Sequence, residues 1–141
     1  MSHTALKTVI NPSQLYASTH FGFSHAVQQH KGQTIHLAGQ VAWDSDAQLV
    51  GGDSIAGQAK QVLENLKQVL AEVGAGPEHV VRLRTYLVDH TTEDVIELSQ
   101  LLLDFYNGHP PAANTMLGVT QLALPGLRVE IEGIAVIPAA D

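Results

Sequence analysis

The chain has 141 residues, of which 45% are hydrophobic and 15% charged, and its formal net charge is −7. This length suits one domain with a single core, and the sparse charge predicts that a partner covers part of the surface. An acidic balance with seven Lys and Arg residues in total argues against recognition of a nucleic-acid backbone, and no apolar run approaches the roughly 20 residues that span a bilayer.

The domain organisation is predicted to be simple, with one domain over residues 1–141 and an extended or irregular segment at 1–20. The first residues have neither the apolar core of a secretion signal nor a basic amphipathic stretch, and the chain has no cysteine. We therefore expect a cytoplasmic protein with neither a nucleic-acid nor a membrane partner.

Five strands and two helices are predicted in chain order. Residues 24–30 and 34–40 are β-rich and joined by the short segment 31–33, which predicts a hairpin. Residues 53–73 and 92–107 carry apolar side chains at three- and four-residue steps, typical of helices with one buried face. Residues 80–89, 114–124 and 128–138 are again β-rich. The order β-β-α-β-α-β-β favours an α+β fold, a mixed sheet with both helices on one face.

The strand faces predict an oligomer. In residues 128–137 the odd positions are small or apolar, which places them under the helices, whereas the even positions mix charged and apolar residues. The even positions of the other late strands are mixed as well, and we place them on the same helix-free side: Arg82, Arg84, Tyr86, Asn114 and Met116. A mixed side of this kind is expected to be buried against other copies of the chain.

Two C-terminal runs, PAANTMLGV at 111–119 and LPGLRVEIEGIAV at 124–136, resemble the signature of the RidA/YjgF family. Further matches are FSHAV at 23–27 and HLAGQV at 36–41. The resemblance implies a chorismate-mutase-like α+β fold and a homotrimer with small-molecule clefts between subunits. It also implies hydrolysis of enamine or imine intermediates to keto acids and ammonia, without a metal or organic cofactor.

Within this resemblance, Asn114 argues against the family's hydrolytic activity and Glu130 argues for it. Asn114 stands where the active branch has an arginine that grips the carboxylate of a 2-imino acid, and a neutral amide cannot replace that fork of charged donors. Glu130 matches the acidic position on the last strand, where a carboxylate can position water and transfer protons as the catalytic group. The alternative for Glu130 is an ion pair with Arg or Lys within an interface.

The remaining residues expected to bind substrate make the cleft more apolar than in the deaminating branch. Phe23 stands where the family usually has tyrosine, and His25 beside it can hydrogen-bond a ligand. Ala38 replaces a hydroxyl residue before Gly39, and Met116 stands where active relatives carry cysteine. The ligand expected is a keto or imino acid, or an analogue without a carboxylate.

Two other kinds of site were considered. Arg82, Arg84 or Arg128 can provide a relocated anion clamp, although ion pairs with Glu130, Glu132 or Asp89 across an interface are the reading we favour. The eight histidines follow no spacing typical of metal ligands, so no metal site is predicted.

Three functions stay open from the sequence. The first is an imine or enamine deaminase with altered or reduced activity, and the second is a non-catalytic ligand-binding or regulatory trimer. The third is the endoribonuclease or translation-inhibitor activity attributed to some relatives, which conflicts with the acidic balance of the chain.

Overall fold

The structure, a computed structural model, describes residues 5–140. Its helices and strands within this range are β1 (Lys7–Ile10), β2 (Ala26–Gln29), β3 (Gln33–Gln40), α1 (Ile55–Glu72), β4 (Val80–Val88), α2 (Thr92–Tyr106), β5 (Ala113–Val119) and β6 (Val129–Ile137). From β2 onward this is the predicted order, and the predicted α+β class is confirmed. The strand β1 is additional and lies within the segment predicted to be extended or irregular.

The strands form two sheets. A four-stranded sheet has the order β3-β6-β4-β5, in which β4 and β5 are parallel and the other neighbours antiparallel. The strands β1 and β2 form a separate antiparallel ribbon, so the predicted hairpin of β2 with β3 is wrong. The connection turns away at Gly32, which has a φ of +105° and lies against the Ile137 carbonyl with no space for a Cβ. This turn carries the chain from the ribbon to β6.

Each helix has an identifiable start and a buried stripe. The Ser54 side chain accepts a hydrogen bond from the Gly57 amide at 2.9 Å at the start of α1, and Thr91 and Asp94 form a capping box at the start of α2. The buried apolar residues of α1 are Ile55, Ala59, Val62, Leu63, Leu66 and Leu70. Burying one such large side chain stabilises the fold by about 1.5–3 kcal/mol. No helix within residues 5–140 has the length and apolarity of a membrane span.

The core lies between the helices and one face of the larger sheet. Alternate residues of β4 and β6 are buried in it together with both helices: Leu83, Thr85, Leu87, Val129, Ile131 and Ala135. The prediction that the odd positions of β6 lie under the helices is therefore confirmed. The residues between them, which include Arg84, Tyr86, Glu130 and Glu132, lie on the side that the helices leave uncovered.

Candidate functional site

The register of β5 corrects one expectation about the sheet. Asn114 is paired with Leu83 and Met116 with Thr85, and side chains of paired residues extend from the same face of a sheet. Leu83 and Thr85 are fully buried in the core. Asn114 and Met116 therefore lie on the helix side, and their predicted placement on the helix-free side is wrong. The even residues of β4 and β5 do not share a face, because the even residues of β5 are paired with the odd residues of β4.

Asn114 lines a cleft of about 620 Å³ at the edge of β5. The other residues of its wall are Tyr16, Phe21, Phe23 and His25 from the N-terminal segment, Val95 and Ser99 from α2, and Thr115 and Met116 from β5. We name this site the Asn114 cleft. It contains four of the residues predicted to bind substrate: Phe23, His25, Asn114 and Met116.

The N-terminal segment is held against β5 by hydrogen bonds around Ser24. The buried Ser24 hydroxyl donates to the Pro111 carbonyl at 2.6 Å, and the Ser24 amide donates to the Ala112 carbonyl at 2.9 Å. Asn11 adds to this anchor because its Oδ1 accepts from the His25 amide at 2.9 Å. Phe23 and His25 are therefore fixed beside the strand that carries Asn114.

Aromatic rings meet edge to face in this cleft. Tyr16 and His25 have ring centroids 4.7 Å apart, and Phe23 lies 6.3 Å from Tyr16 and 6.0 Å from His25. Nε2 of His25 lies 2.9 Å from the Tyr16 carbonyl, which can only accept, so Nε2 carries the proton of this hydrogen bond. These contacts build a largely apolar wall in which polar groups are few.

The side chain of Asn114 has one hydrogen bond to the described residues. Its Oδ1 accepts from the hydroxyl of the buried Thr85 at 3.2 Å. The Thr85 hydroxyl thus fixes the orientation of the amide, and the Asn114 NH2 group has no hydrogen-bond partner among residues 5–140.

Glu130 lies on the other side of the sheet, against Gly39. A Cβ on Gly39 would be 2.8 Å from the Glu130 carboxyl carbon, so the absence of a side chain at Gly39 makes room for this carboxylate. Ala38 is exposed next to it on β3, and Gly39 also borders a second cleft, of about 640 Å³, beside α1. The predicted residues Ala38, Gly39 and Glu130 thus form a second group.

The pKa of Glu130 is raised above its ordinary value, mainly because burial disfavours the charged carboxylate and also because Glu132 is close by. Glu132 accepts a hydrogen bond from the Tyr86 hydroxyl, and this bond is the main reason that the pKa of Tyr86 is raised. Glu132 therefore has a partner in the chain, whereas Glu130 is the carboxylate with an elevated proton affinity.

The sheet separates the two groups of predicted residues. Asn114 extends from the helix side together with Leu83, whereas Glu130 is paired with Tyr86 on the helix-free side. Within one copy, the amide and the carboxylate do not face the same space. A single site that contains both requires Glu130 from one copy and the Asn114 cleft from another.

The structure gives Arg128 a different task from an anion clamp. Its guanidinium donates to the backbone carbonyls of Asp53 at 2.7 Å, Asp89 at 2.6 Å and Val88 at 3.3 Å. These bonds tie β6 to the end of β4 and to the start of α1. Arg82 and Arg84 alternate with the core residues of β4 and so extend away from the Asn114 cleft. Within one copy, therefore, none of the three arginines reaches the Asn114 cleft, and a clamp near Glu130 stays a hypothesis.

Sequence reasoning missed the cleft residues Tyr16 and Phe21. Both lie in or next to the segment that was expected to be irregular, and their exposed fractions of 61% and 51% are high for large aromatic side chains. Two closely spaced aromatic residues before FSHAV were the available signal. Among residues 5–140, no group of three or more His, Asp or Glu residues is arranged to hold a metal ion.

The fold defines a small α+β protein of the chorismate-mutase-like class. A family model described as Endoribonuclease L-PSP matches residues 14–137. The chain belongs to this family, the RidA/YjgF family.

Known proteins support the same assignment. The chain is 40% identical over 116 residues to protein DfrA of Myxococcus xanthus, covering 81% of this chain and 84% of that protein. It is 37% identical over 116 residues to the 2-iminobutanoate/2-iminopropanoate deaminase of Mus musculus, covering 81% and 80%. The crystal structure of the Rid-family protein YyfB of Yersinia pestis is 50% identical, with a TM-score of 0.92, and covers 94% of this chain and 100% of that one.

Proposed function

We propose that the chain hydrolyses an imine or enamine to a carbonyl compound and ammonia, in sites completed between copies of a homotrimer. The observation that carries this proposal is the partly buried Glu130 carboxylate over Gly39, with its raised pKa. A general base with a pKa closer to the working pH transfers protons more effectively than an ordinary surface carboxylate. The deaminase activity named for the mouse relative supports the same chemistry.

The reaction needs only water placement and proton transfer. Ionised Glu130 accepts a proton from water as the water oxygen forms a bond to the imine carbon. The resulting carboxylic acid then protonates the nitrogen, which gives a carbinolamine and regenerates the carboxylate. Glu130 next accepts the proton of the carbinolamine hydroxyl and passes it to the amine, so that the carbon–nitrogen bond breaks, ammonia leaves and the carbonyl forms. No redox partner is required, because the oxidation level of the carbon does not change.

The separation of Glu130 from the Asn114 cleft supports an assembly of several copies. Glu130 and the Asn114 cleft lie on opposite faces of one sheet. The helix-free face carries Ile134 and Tyr86 beside the carboxylates, and half-buried apolar residues on an uncovered sheet face favour burial against another copy. A second copy can thus supply the carboxylate that one cleft lacks.

Asn114→Arg is expected to raise activity on small 2-imino acids by at least about 10-fold, because the guanidinium restores a charged pair worth about 2–5 kcal/mol. Wild-type activity on these substrates is expected to be low. The imine is produced from alanine by an amino acid oxidase, and its loss is followed by trapping with semicarbazide. Gln121→Arg adds the same charge at an exposed residue outside the cleft and should change nothing. An equal gain in both variants, or none in Asn114→Arg, contradicts the assignment of Asn114.

Gly39→Ala tests the position of Glu130. The added Cβ collides with the end of the Glu130 side chain, which must move. Because general acid–base catalysis depends on the placement of the carboxylate, the rate on the fastest imine of a panel is expected to fall about 10-fold or more. The melting temperature is expected to change little, because the displaced group is the end of a flexible side chain. In the control variant, Gly76→Ala, the new Cβ displaces the Glu78 carboxylate instead. Equal rates for the two variants would remove Gly39 and Glu130 from the site.

A non-catalytic ligand-binding trimer is the second candidate, and Asn114 in place of arginine is the observation that favours it. Under this function the cleft binds a small molecule, yet no imine is hydrolysed faster than in buffer. An endoribonuclease is a weaker candidate, despite the description of the family model, because a net charge of −7 opposes binding of a phosphate backbone. Salt-sensitive RNA affinity would favour it.

A further inference from the structure

We propose that the Asn114 cleft selects an uncharged, planar ring compound with a carbonyl acceptor, such as an aryl ketone or amide, over the corresponding carboxylate. This inference rests on the proposed function only in taking the cleft as the place where a small molecule binds. It concerns which chemical class enters the cleft, whether or not that molecule is hydrolysed.

The Asn114 side chain offers hydrogen-bond donors to the cleft. Thr85, which is fully buried, donates its hydroxyl proton to Oδ1 of Asn114 at 3.2 Å. The acceptor end of the amide is thus occupied by the protein, and the two N–H groups of Nδ2 have no partner among the described residues. Two neutral N–H donors suit a carbonyl oxygen with its two lone pairs.

The walls favour a flat, apolar body. Phe23, Tyr16 and His25 stand edge to face with interplanar angles of 67° to 81°. A planar ring can continue this arrangement by edge-to-face or offset contact, which stabilises binding beyond the burial of apolar area. Met116 adds a polarizable thioether to the same wall, and Val95 adds apolar area.

Within one copy, a carboxylate has no cationic partner in this cleft. Among residues 5–140 of that copy, no Lys or Arg lines the cleft, and Arg128 is held by backbone carbonyls at the start of α1 and the end of β4. A carboxylate entering the cleft would lose hydration without forming an ion pair, which is unfavourable in an apolar environment. A neutral carbonyl pays a much smaller desolvation cost for the same hydrogen bonds.

The test compares acetophenone with benzoate, which share a ring and a carbonyl and differ in a methyl group against a charged oxygen. Titration calorimetry on the full chain is expected to show acetophenone binding at least about 10-fold more tightly than benzoate. Asn114→Asp keeps the shape and the Thr85 hydrogen bond but removes both N–H donors, and it is expected to weaken acetophenone binding by about 10-fold. Gln121→Glu adds the same charge at an exposed residue and should leave acetophenone binding unchanged.

Three results would overturn this inference: tighter binding of benzoate, no binding of either probe, or acetophenone binding that is insensitive to Asn114→Asp. Combining the titration with the imine assay on the wild type separates this inference from the proposed function. A preference for acetophenone in a wild type that hydrolyses no imine supports the cleft and removes the catalysis. Hydrolysis of imines together with a preference for benzoate does the opposite.

Discussion

Glu130→Gln is expected to lower the rate of imine hydrolysis by about 10²–10⁴-fold, the usual contribution of a general acid–base group. Glutamine keeps the size of the side chain over Gly39 but cannot accept a proton from water. The rate is measured on the fastest imine of the panel, with the oligomeric state of the variant checked by sedimentation. An unchanged rate in a correctly assembled variant would show that another group performs the proton transfer.

The pH dependence of the wild-type rate tests the assignment of Glu130 as the general base. Because the pKa of Glu130 is raised, the base form appears at a higher pH than for an ordinary glutamate, and the rate should rise as the pH rises through this elevated pKa. Glu132→Gln removes the neighbouring charge, so the acid limb should move to lower pH with Glu130 still present. An acid limb that stays in place would mean that Glu132 does not act on Glu130.

The raised pKa also predicts how stability depends on pH. The folded state holds the Glu130 proton more tightly than the unfolded state, so this residue's favourable contribution is fully present below the ordinary glutamate pKa. It is lost as the pH rises through the elevated folded pKa. As the pH rises through the elevated pKa, the melting temperature of Glu130→Gln should therefore increase relative to that of the wild type, because glutamine has no charge to bury.

Periodicity predicted the parts of the fold that bury continuous apolar stripes. The two helices and the odd face of β6 follow directly from the spacing of residues such as Leu66, Leu102 and Ile131, because these side chains have one way to leave water. The ribbon of β1 and β2 could not be predicted in this way. Each of its strands has four residues, and their pairing depends on Gly32 turning the chain towards β6.

The composition of the site was more predictable than its geometry. Family motifs pointed to Phe23, Asn114 and Glu130. Phe23 and Asn114 line the same cleft, whereas Glu130 lies against Gly39 on the other face of the sheet. Their distribution over two faces was not predicted, because the alternation within one strand does not give the register between strands. A parallel pairing of Leu83 with Asn114 places the amide on the helix side, and a pairing shifted by one residue would have reversed it.

Gln58 connects the helix layer to the strand that carries Glu130. Its side chain is fully buried on α1 and donates to the carbonyls of Gly52 and Gly126, each at 2.9 Å. Its Oε1 accepts from the Arg128 amide, also at 2.9 Å. One amide thus joins the loop before α1, the turn before β6 and the residue that directly precedes β6.

Gln58→Leu is expected to lower the free energy of unfolding by about 2–4 kcal/mol, because leucine fills the space but leaves three backbone groups without their partner. Urea unfolding at a fixed protein concentration measures this loss, with Gln68→Leu on the exposed side of α1 as the control, expected to change stability by less than about 0.5 kcal/mol. Since Arg128 is two residues before Glu130, a loosened start of β6 should also reduce imine hydrolysis. A Gln58→Leu protein as stable as the control would mean that water replaces the three Gln58 hydrogen bonds with no loss of stability. The position of Glu130 would then depend on Arg128 and Gly39 alone.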